Sequence, residues 1–385
     1  MIREGTRAFI RAVGRSIAAS LVPPAPRREL LVIQPDHLGD GILALPALRW
    51  IRRTYPSLQL TLAIGPWNVP LYETVSVCDD LLVLPFPGFS RERPRTPLAP
   101  YRLLVQEARR LRRRSPLAAI VLRDDHWWGA WLCKLAGVPI RIGADHPEVR
   151  PFLTHPVPLR STHVAARDIE LVAAFLRILG IEGTNTEVSP DRFPLTWPID
   201  AAAQEQVRRL LRDHGVTEPF VVVHPGSGAA AKCWPATRWT TVVGALQQRG
   251  LQVVLTGSTD ERPELEAIAR GVRTPVTILS GVLSLAMLVE LLRLAQLVIG
   301  PDTGPLHLAV AVGTPSLHLF GPTQPERFGP WGPPERHRIL RSALTCVRCG
   351  NIGPDRKLGL GCMISLTPEH VLVVADELLV SSRGR

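Results

Sequence analysis

Short unbroken apolar runs alternate along this chain with longer stretches whose apolar residues recur every three or four positions. The run "ELLVIQ" at 29–34 predicts a buried strand, the polar "PDHLGD" a loop, and the spacing after it a helix from about Gly41 to Thr54. "LQLTLAIG", "DLLVLP" and "LAAIVLR" at 117–123 predict further strands, and a helix is expected at about 162–180. The turn-rich "GIEGTNTEVSPDRFPLTWPID" that follows has the composition of a linker. Then the pattern restarts. "PFVVVHPGSG" at 219–228 and "LQVVLTGSTD" at 251–260 each run from a strand into a loop, and "VTILSG", "AQLVIG" and "TPSLHLF" at 314–320 predict three more strands. Such alternation makes parallel sheets covered by helices, so two βα sheets of similar size are expected. Ligands of these sheets bind at the carboxyl ends of the strands, and two stacked units leave a cleft between them.

Size and composition agree with two soluble domains. The chain has 385 residues, 45% hydrophobic and 21% charged, and no apolar run reaches the roughly 20 residues of a spanning helix. A formal net charge of +11 favours anionic partners: nucleic acid, a membrane surface or phosphorylated substrates. Arginine supplies nearly all of it, because Lys134, Lys232 and Lys357 are the only lysines.

The segment 1–28 is treated as a separate basic, amphipathic piece. Helical spacing would stack Arg3, Arg7, Arg11 and Arg15 on one face and Phe9, Val13, Ile17 and Leu21 on another. Two readings share this pattern, a helix lying on an anionic membrane and a solvated helix or frayed tail. Arg11 and Arg15 interrupt the apolar stretch that a secretory signal would need, so the segment reads as uncleaved. The Pro- and Arg-rich stretch 85–100 reads as a long surface loop, solvated or touching an anionic acceptor.

Three loops carry candidate chemistry. In "GPDTGPLHLAVAVGTP", Asp302 and Thr303 fall just past a strand, Pro305 suits a first helical turn and Gly313 its end. The helix start favours an anion such as a pyrophosphate. Ordinary capping by Asp302 or Thr303 is the other reading, and it leaves His307 unexplained. In "HPGSGAAAKCWP", Gly226 and Gly228 permit close backbone approach, Ser227 offers a hydroxyl and Lys232 a compact charge. Neither GxxxxGK[ST] nor GxGxxG spacing occurs. In "PDHLGDGILALPALR", Gly39 would allow a sharp turn after the first strand. Asp40, at the helix start, would either cap the helix or accept a proton from an activated hydroxyl.

With "CVRCGNIGPDRKLGLGCMISLTPEHV", these stretches together resemble the family 9 glycosyltransferases, best known as ADP-heptose:lipopolysaccharide heptosyltransferases; the likeness runs from about residue 29 to 375. The resemblance implies an α/β fold of the GT-B type, two Rossmann-like domains with parallel sheets facing a central cleft. Residues 29–185 would bind mainly the acceptor, and residues 186–385, with a Cys-containing tail and C-terminal helix, the sugar nucleotide. It also implies an inverting, metal-independent transfer with no cofactor. Asp40 then corresponds to the general base beside Gly39, and Ser227, Lys232, Asp302, Thr303, Gly304 and His307 to donor-binding residues. Glu261 stands where the family places an acid near the donor ribose. The implied partners are a nucleotide-sugar donor, an ADP-sugar favoured, and an anionic glycolipid or glycan acceptor. With the basic surface, these suit a cytoplasmic protein in peripheral contact with the inner membrane, and no nucleic acid is expected. The absence of any DxD triplet accords with a metal-free site.

Cys346, Cys349 and Cys362 form a CxxC and a third cysteine, resembling a family cluster that often carries a fourth; His370 is the nearest later ligand. Buried thiols or a local disulfide are expected ahead of a metal. Cys78, Cys133 and Cys233 are scattered, as in a reducing compartment. Two other functions share some of these features. One is a GT-B sugar-nucleotide epimerase, which needs no acceptor. The other is a basic nucleic-acid-binding protein, although no RNP, KH or zinc-finger pattern occurs.

Overall fold

The computed structural model describes residues 27–89, 96–181, 187–342 and 361–383. The amphipathic pattern of residues 1–26 and the pair Cys346 and Cys349 lie outside the described residues. The chain divides into two compact units at Val188/Ser189, with Thr162–Val164 grouped in the second.

The first unit is a six-stranded sheet of β1 (Arg27–Gln34), β2 (Gln59–Ile64), β3 (Asp80–Val83), β4 (Pro116–Val121), β5 (Ile140–Ala144) and β6 (His155–Val157), in the order β3-β2-β1-β4-β5-β6. Every pairing is parallel. Its helices are α1 (Leu38–Thr54), α2 (Val69–Val75), α3 (Ala99–Arg114), α4 (Trp127–Ala136) and α5 (Val164–Ile178). Parallel strands are covered on both faces, so the middle of β1 (Leu30, Leu31, Val32 and Ile33) and the whole of β4 are apolar. Leu31, Ile33, Ala119 and Val121 pack with Leu104 and Leu111 of α3 and with Trp128 and Trp131 of α4.

The second unit repeats the plan with β7 (Phe220–Val223), β8 (Gln252–Gly257), β9 (Thr277–Ser280), β10 (Leu297–Pro301), β11 (Ser316–Phe320) and β12 (His337–Arg341), in the order β12-β11-β10-β7-β8-β9, again all parallel. Its helices are α6 (Ala201–Asp213), α7 (Ala236–Gln248), α8 (Arg262–Arg270), α9 (Leu285–Leu294), α10 (Gly304–Ala311), α11 (Pro325–Phe328), α12 (Gly361–Ile364) and α13 (Pro368–Arg383). Val221, Val223, Leu255, Ile299 and Leu317 form one core with Trp234, Trp239 and Val371, Ala375 and Leu378 of α13.

Both sheets reverse direction at one place. From β1 the chain adds β2 and β3 on one side and then β4 on the other; from β7 it adds β8 and β9, then β10. The loops leaving the two central strands diverge there, which opens a crevice at the carboxyl end of the sheet. In the first sheet those loops are 35–37 and 122–126, and in the second 224–235 and 302–303.

Candidate active site at the two sheet reversals

In the second unit the loop after β7 starts at His224, whose amide donates to Ile299 O at 2.9 Å and whose Nδ1 meets Thr256 Oγ1 at 3.0 Å. Burial lowers the pKa of this imidazole and keeps it neutral. Gly300 on β10 makes the close approach possible, since a Cβ there would stand 2.6 Å from the His224 carbonyl oxygen.

Farther along the same loop, a single 3-10 turn presents Lys232. Its Nζ donates to Asp302 Oδ2 at 2.9 Å and to Asp302 O at 3.2 Å, linking the loops of β7 and β10. Buried Trp234 anchors the end of this loop: Nε1 donates to Leu366 O at 3.1 Å, and the ring stands edge-on to Trp239 at 4.9 Å. Arg238 donates to the carbonyls of Ile364 and Leu366.

Asp302 is buried beneath this link. Burial alone would raise its carboxyl pKa, but His307 and Lys232 on either side outweigh it and hold the group well below the usual carboxylate range. His307 Nε2 stands 3.7 Å from Asp302 Oδ1, beyond hydrogen-bond reach but close enough for a charge interaction. Ordinary capping does not account for this loop. Thr303 occupies the N-cap position of α10, yet its hydroxyl donates back to Pro301 O at 3.3 Å, and no side chain caps the helix. Asp302 is held by Lys232 instead. Gly304 is the first helical residue, and Pro305, lacking an N–H, suits the second position.

Glu261 lies beside the glycine loop. Its Oε2 accepts from Ser258 N at 2.7 Å and Ser258 Oγ at 2.9 Å, closing a capping box at the turn after β8. The carboxylate covers Gly226, where any Cβ would collide with it. Ser227 is half-buried, and its Oγ receives the Ala229 amide at a long 3.4 Å. The structure therefore gathers Lys232, Asp302, Thr303, Gly304 and His307 at one reversal, with Glu261 against the adjoining glycine turn.

A buried polar ladder behind α10 escaped the sequence reading. His318 lies 6.1 Å from His307 ring to ring, its Nε2 meets Ser316 Oγ at 2.8 Å, and the same oxygen meets His337 Nδ1 at 2.9 Å. Burial first, then the neighbouring His307 and His337, push the His318 pKa well down, and burial brings His337 to about 4. Alternation could have indicated it, since Ser316 and His318 share one face of β11.

In the first unit the helix starts three residues earlier than expected, at Leu38. Gly39 is consequently helical, and Pro35, Asp36 and His37 make the turn instead. His37 is the N-cap residue, so Asp40 belongs to the first helical turn, where it is half-buried.

The sequence reading also missed the charged set beside Asp40. Asp36 accepts from Arg123 Nη1 at 2.5 Å, Arg123 Nε donates to Asp125 Oδ1 at 2.6 Å, and Arg167 Nη2 reaches Asp124 Oδ2 at 2.9 Å. Asp168, buried on α5, has its pKa raised well above the usual value by burial and then by the negative charges of Asp36 and Asp40. The signal was "RDDH" at 123–126, directly after β4. Cys362 is buried, with the Met363 side chain beside it covering Gly321.

The model of a family described as Glycosyltransferase family 9 (heptosyltransferase) matches residues 105–353. Lipopolysaccharide heptosyltransferase 3 of Escherichia coli is 28% identical over 303 residues, covering 76% of this chain and 83% of that protein. Among solved structures, the glycosyl transferase family 9 protein of Veillonella parvula DSM 2008 superposes with a TM-score of 0.73 at 22% identity, covering 94% of this chain and 100% of the other. E. coli heptosyltransferase WaaC with ADP-2-deoxy-2-fluoro heptose gives a TM-score of 0.64 at 19% identity, covering 91% and 99%.

Proposed function

The chain belongs to glycosyltransferase family 9 and has its GT-B fold, and from that premise we propose that it moves a heptosyl group from ADP-heptose to an anionic glycolipid of the lipopolysaccharide-core type. The transfer inverts the anomeric centre, needs no bound metal and takes place on the cytoplasmic side of the inner membrane, with peripheral contact to it. The donor choice is supported by the E. coli relative solved with an ADP-heptose analogue, and the acceptor choice by the named activity of the 28% identical relative.

The observation that carries this reading is the Lys232–Asp302 link beside the uncapped start of α10. Asp40 removes the proton of the acceptor hydroxyl. The freed oxygen forms a bond to the anomeric carbon from the face opposite the diphosphate, and the carbon–oxygen bond to the diphosphate breaks with its electron pair. The leaving ADP gains negative charge, which Lys232, the α10 amides and His307 stabilise. Thr303 and Gly304 let the diphosphate approach the backbone, Ser227 adds a hydroxyl from the glycine turn, and Glu261 binds the donor ribose. Gly39 keeps the first turn of α1 open to the acceptor.

Thermal unfolding with ADP, UDP, GDP and CDP in turn, beside Lys232→Ala, tests it. A ligand at about a hundred times its Kd adds roughly 2.7 kcal/mol. Selective stabilisation by ADP that disappears in the variant is the expected result. Stabilisation by another nucleotide, or an unchanged response in the variant, overturns the donor assignment.

A further inference from the structure

Helix α3 has one face in the core and one in solvent, and the solvent face is unusual. Leu104, Ala108 and Leu111 are buried, whereas Leu98, Arg102, Val105, Arg109 and Arg113 form an exposed stripe at helical spacing, flanked by Arg110. Leu98 is 57% exposed and Val105 44%. Arg110 is paired with buried Glu107 at 3.1 Å, but Arg102, Arg109 and Arg113 have no ion-pair partner among the described residues. Arg114, in contrast, is consumed by Glu29 and Asp80. A groove lined by Leu98, Tyr101, Arg102, Val105, Arg109 and Arg113 follows this stripe.

We infer that the exposed face of α3 docks the protein on a bilayer containing anionic phospholipid. Unpaired guanidinium groups attract the headgroup phosphates, and the exposed apolar side chains between them enter the boundary beneath. Phosphate attraction alone would need no leucine or valine in the stripe, and for that reason the apolar members favour a bilayer over a nucleic-acid backbone. The helix of 16 residues is about 24 Å long, enough to span several headgroups. It connects β3 to β4 and runs against the strands, so its Leu98 end lies at the carboxyl edge of the sheet, the edge that carries Asp40. Docking along this flank brings that edge to headgroup level. The inference extends the glycolipid-acceptor reading by naming the surface that meets the membrane.

Co-sedimentation of the full chain with mixed phosphatidylcholine–phosphatidylglycerol vesicles and with pure phosphatidylcholine vesicles tests it, without donor or acceptor. The chain should bind only the anionic vesicles and be released by salt. R102Q/R109Q/R113Q should weaken binding by about fivefold for each arginine removed, and L98S/V105S should weaken it at unchanged charge. An R3Q/R7Q/R11Q/R15Q variant should retain binding. No binding by the parent chain overturns the inference, as does undiminished binding by the α3 variants, abolition by the amino-terminal variant alone, or retention on duplex DNA that L98S/V105S leaves intact while vesicle binding is absent. Each α3 variant should keep the parent's unfolding shift with ADP, which shows that it is folded. Failure on vesicles with that shift intact leaves the transferase reading standing.

Discussion

Lys232 Nζ and Asp302 Oδ2 are 2.9 Å apart and join the loops of the two central strands of the second sheet. The side chains are only 18% and 5% exposed, so the pair is shielded from solvent and salt. Removing the cation leaves a buried carboxylate without its main partner, which costs about 3 kcal/mol. Lys232→Ala should therefore lower the midpoint of urea unfolding and abolish the response to nucleotide. Lys232→Ala/Asp302→Asn should recover part of the stability while regaining no nucleotide affinity.

Asp40 is assigned chemistry rather than donor binding. Asp40→Asn keeps size and shape but cannot take a proton, so turnover should fall by about 10²–10⁴-fold, with ADP affinity within about twofold of the parent by calorimetry. Residual turnover above a tenth of the parent would remove Asp40 as the base.

Gly226 and Glu261 are in contact across two turns. Gly226→Ala drives its methyl into the carboxylate that caps the turn at Ser258. Losing that cap should cost about 1 kcal/mol. Because one contact is responsible, Gly226→Ala and Glu261→Ala combined should cost less than the sum of the two single changes, measurable as a double-mutant cycle.

His126 provides a pH signature. It is buried among Phe86, Phe89 and Trp128, both ring nitrogens lack a partner among the described residues, and burial lowers its pKa to about 3. The folded protein keeps it neutral, while the unfolded chain takes up a proton below about pH 6.5. Its contribution to stability is thus complete above about pH 6.5, and it is lost as pH falls toward about 3. His126→Phe should flatten the fall in Tm over that interval. An unchanged slope would mean that this imidazole does not stay neutral in the fold.

The central strands were legible in the sequence because both their faces are covered, which makes "LLVI", "AAIV", "FVVV" and "LVIG" continuous apolar runs. The edges were not. β6 is three residues long, and β12, "HRILR", exposes residues on both faces, so neither gives a run or a clear alternation. The site divided in the same way. Lys232, Asp302 and His307 stand next to strong strand and helix signals, but Asp36, Arg123 and Asp168 meet only because β4 lies beside β1 and α5 packs nearby. "RDDH" marks a charged loop after β4, but the sequence does not say which strand that loop stands beside. Gly39 was misread because "LGDG" suggests a turn, whereas the helix runs through both glycines.

The hydrogen bonds from Trp234 and Arg238 to the carbonyls at 364 and 366 have a consequence for synthesis. The loop that presents Lys232 is anchored to residues 132 positions later in the chain. A growing polypeptide that has released β7 to α10 from the ribosome can form the Lys232–Asp302 link but still lacks that anchor at the end of the loop. The support of this loop is therefore complete only once residues 361–366 have been made.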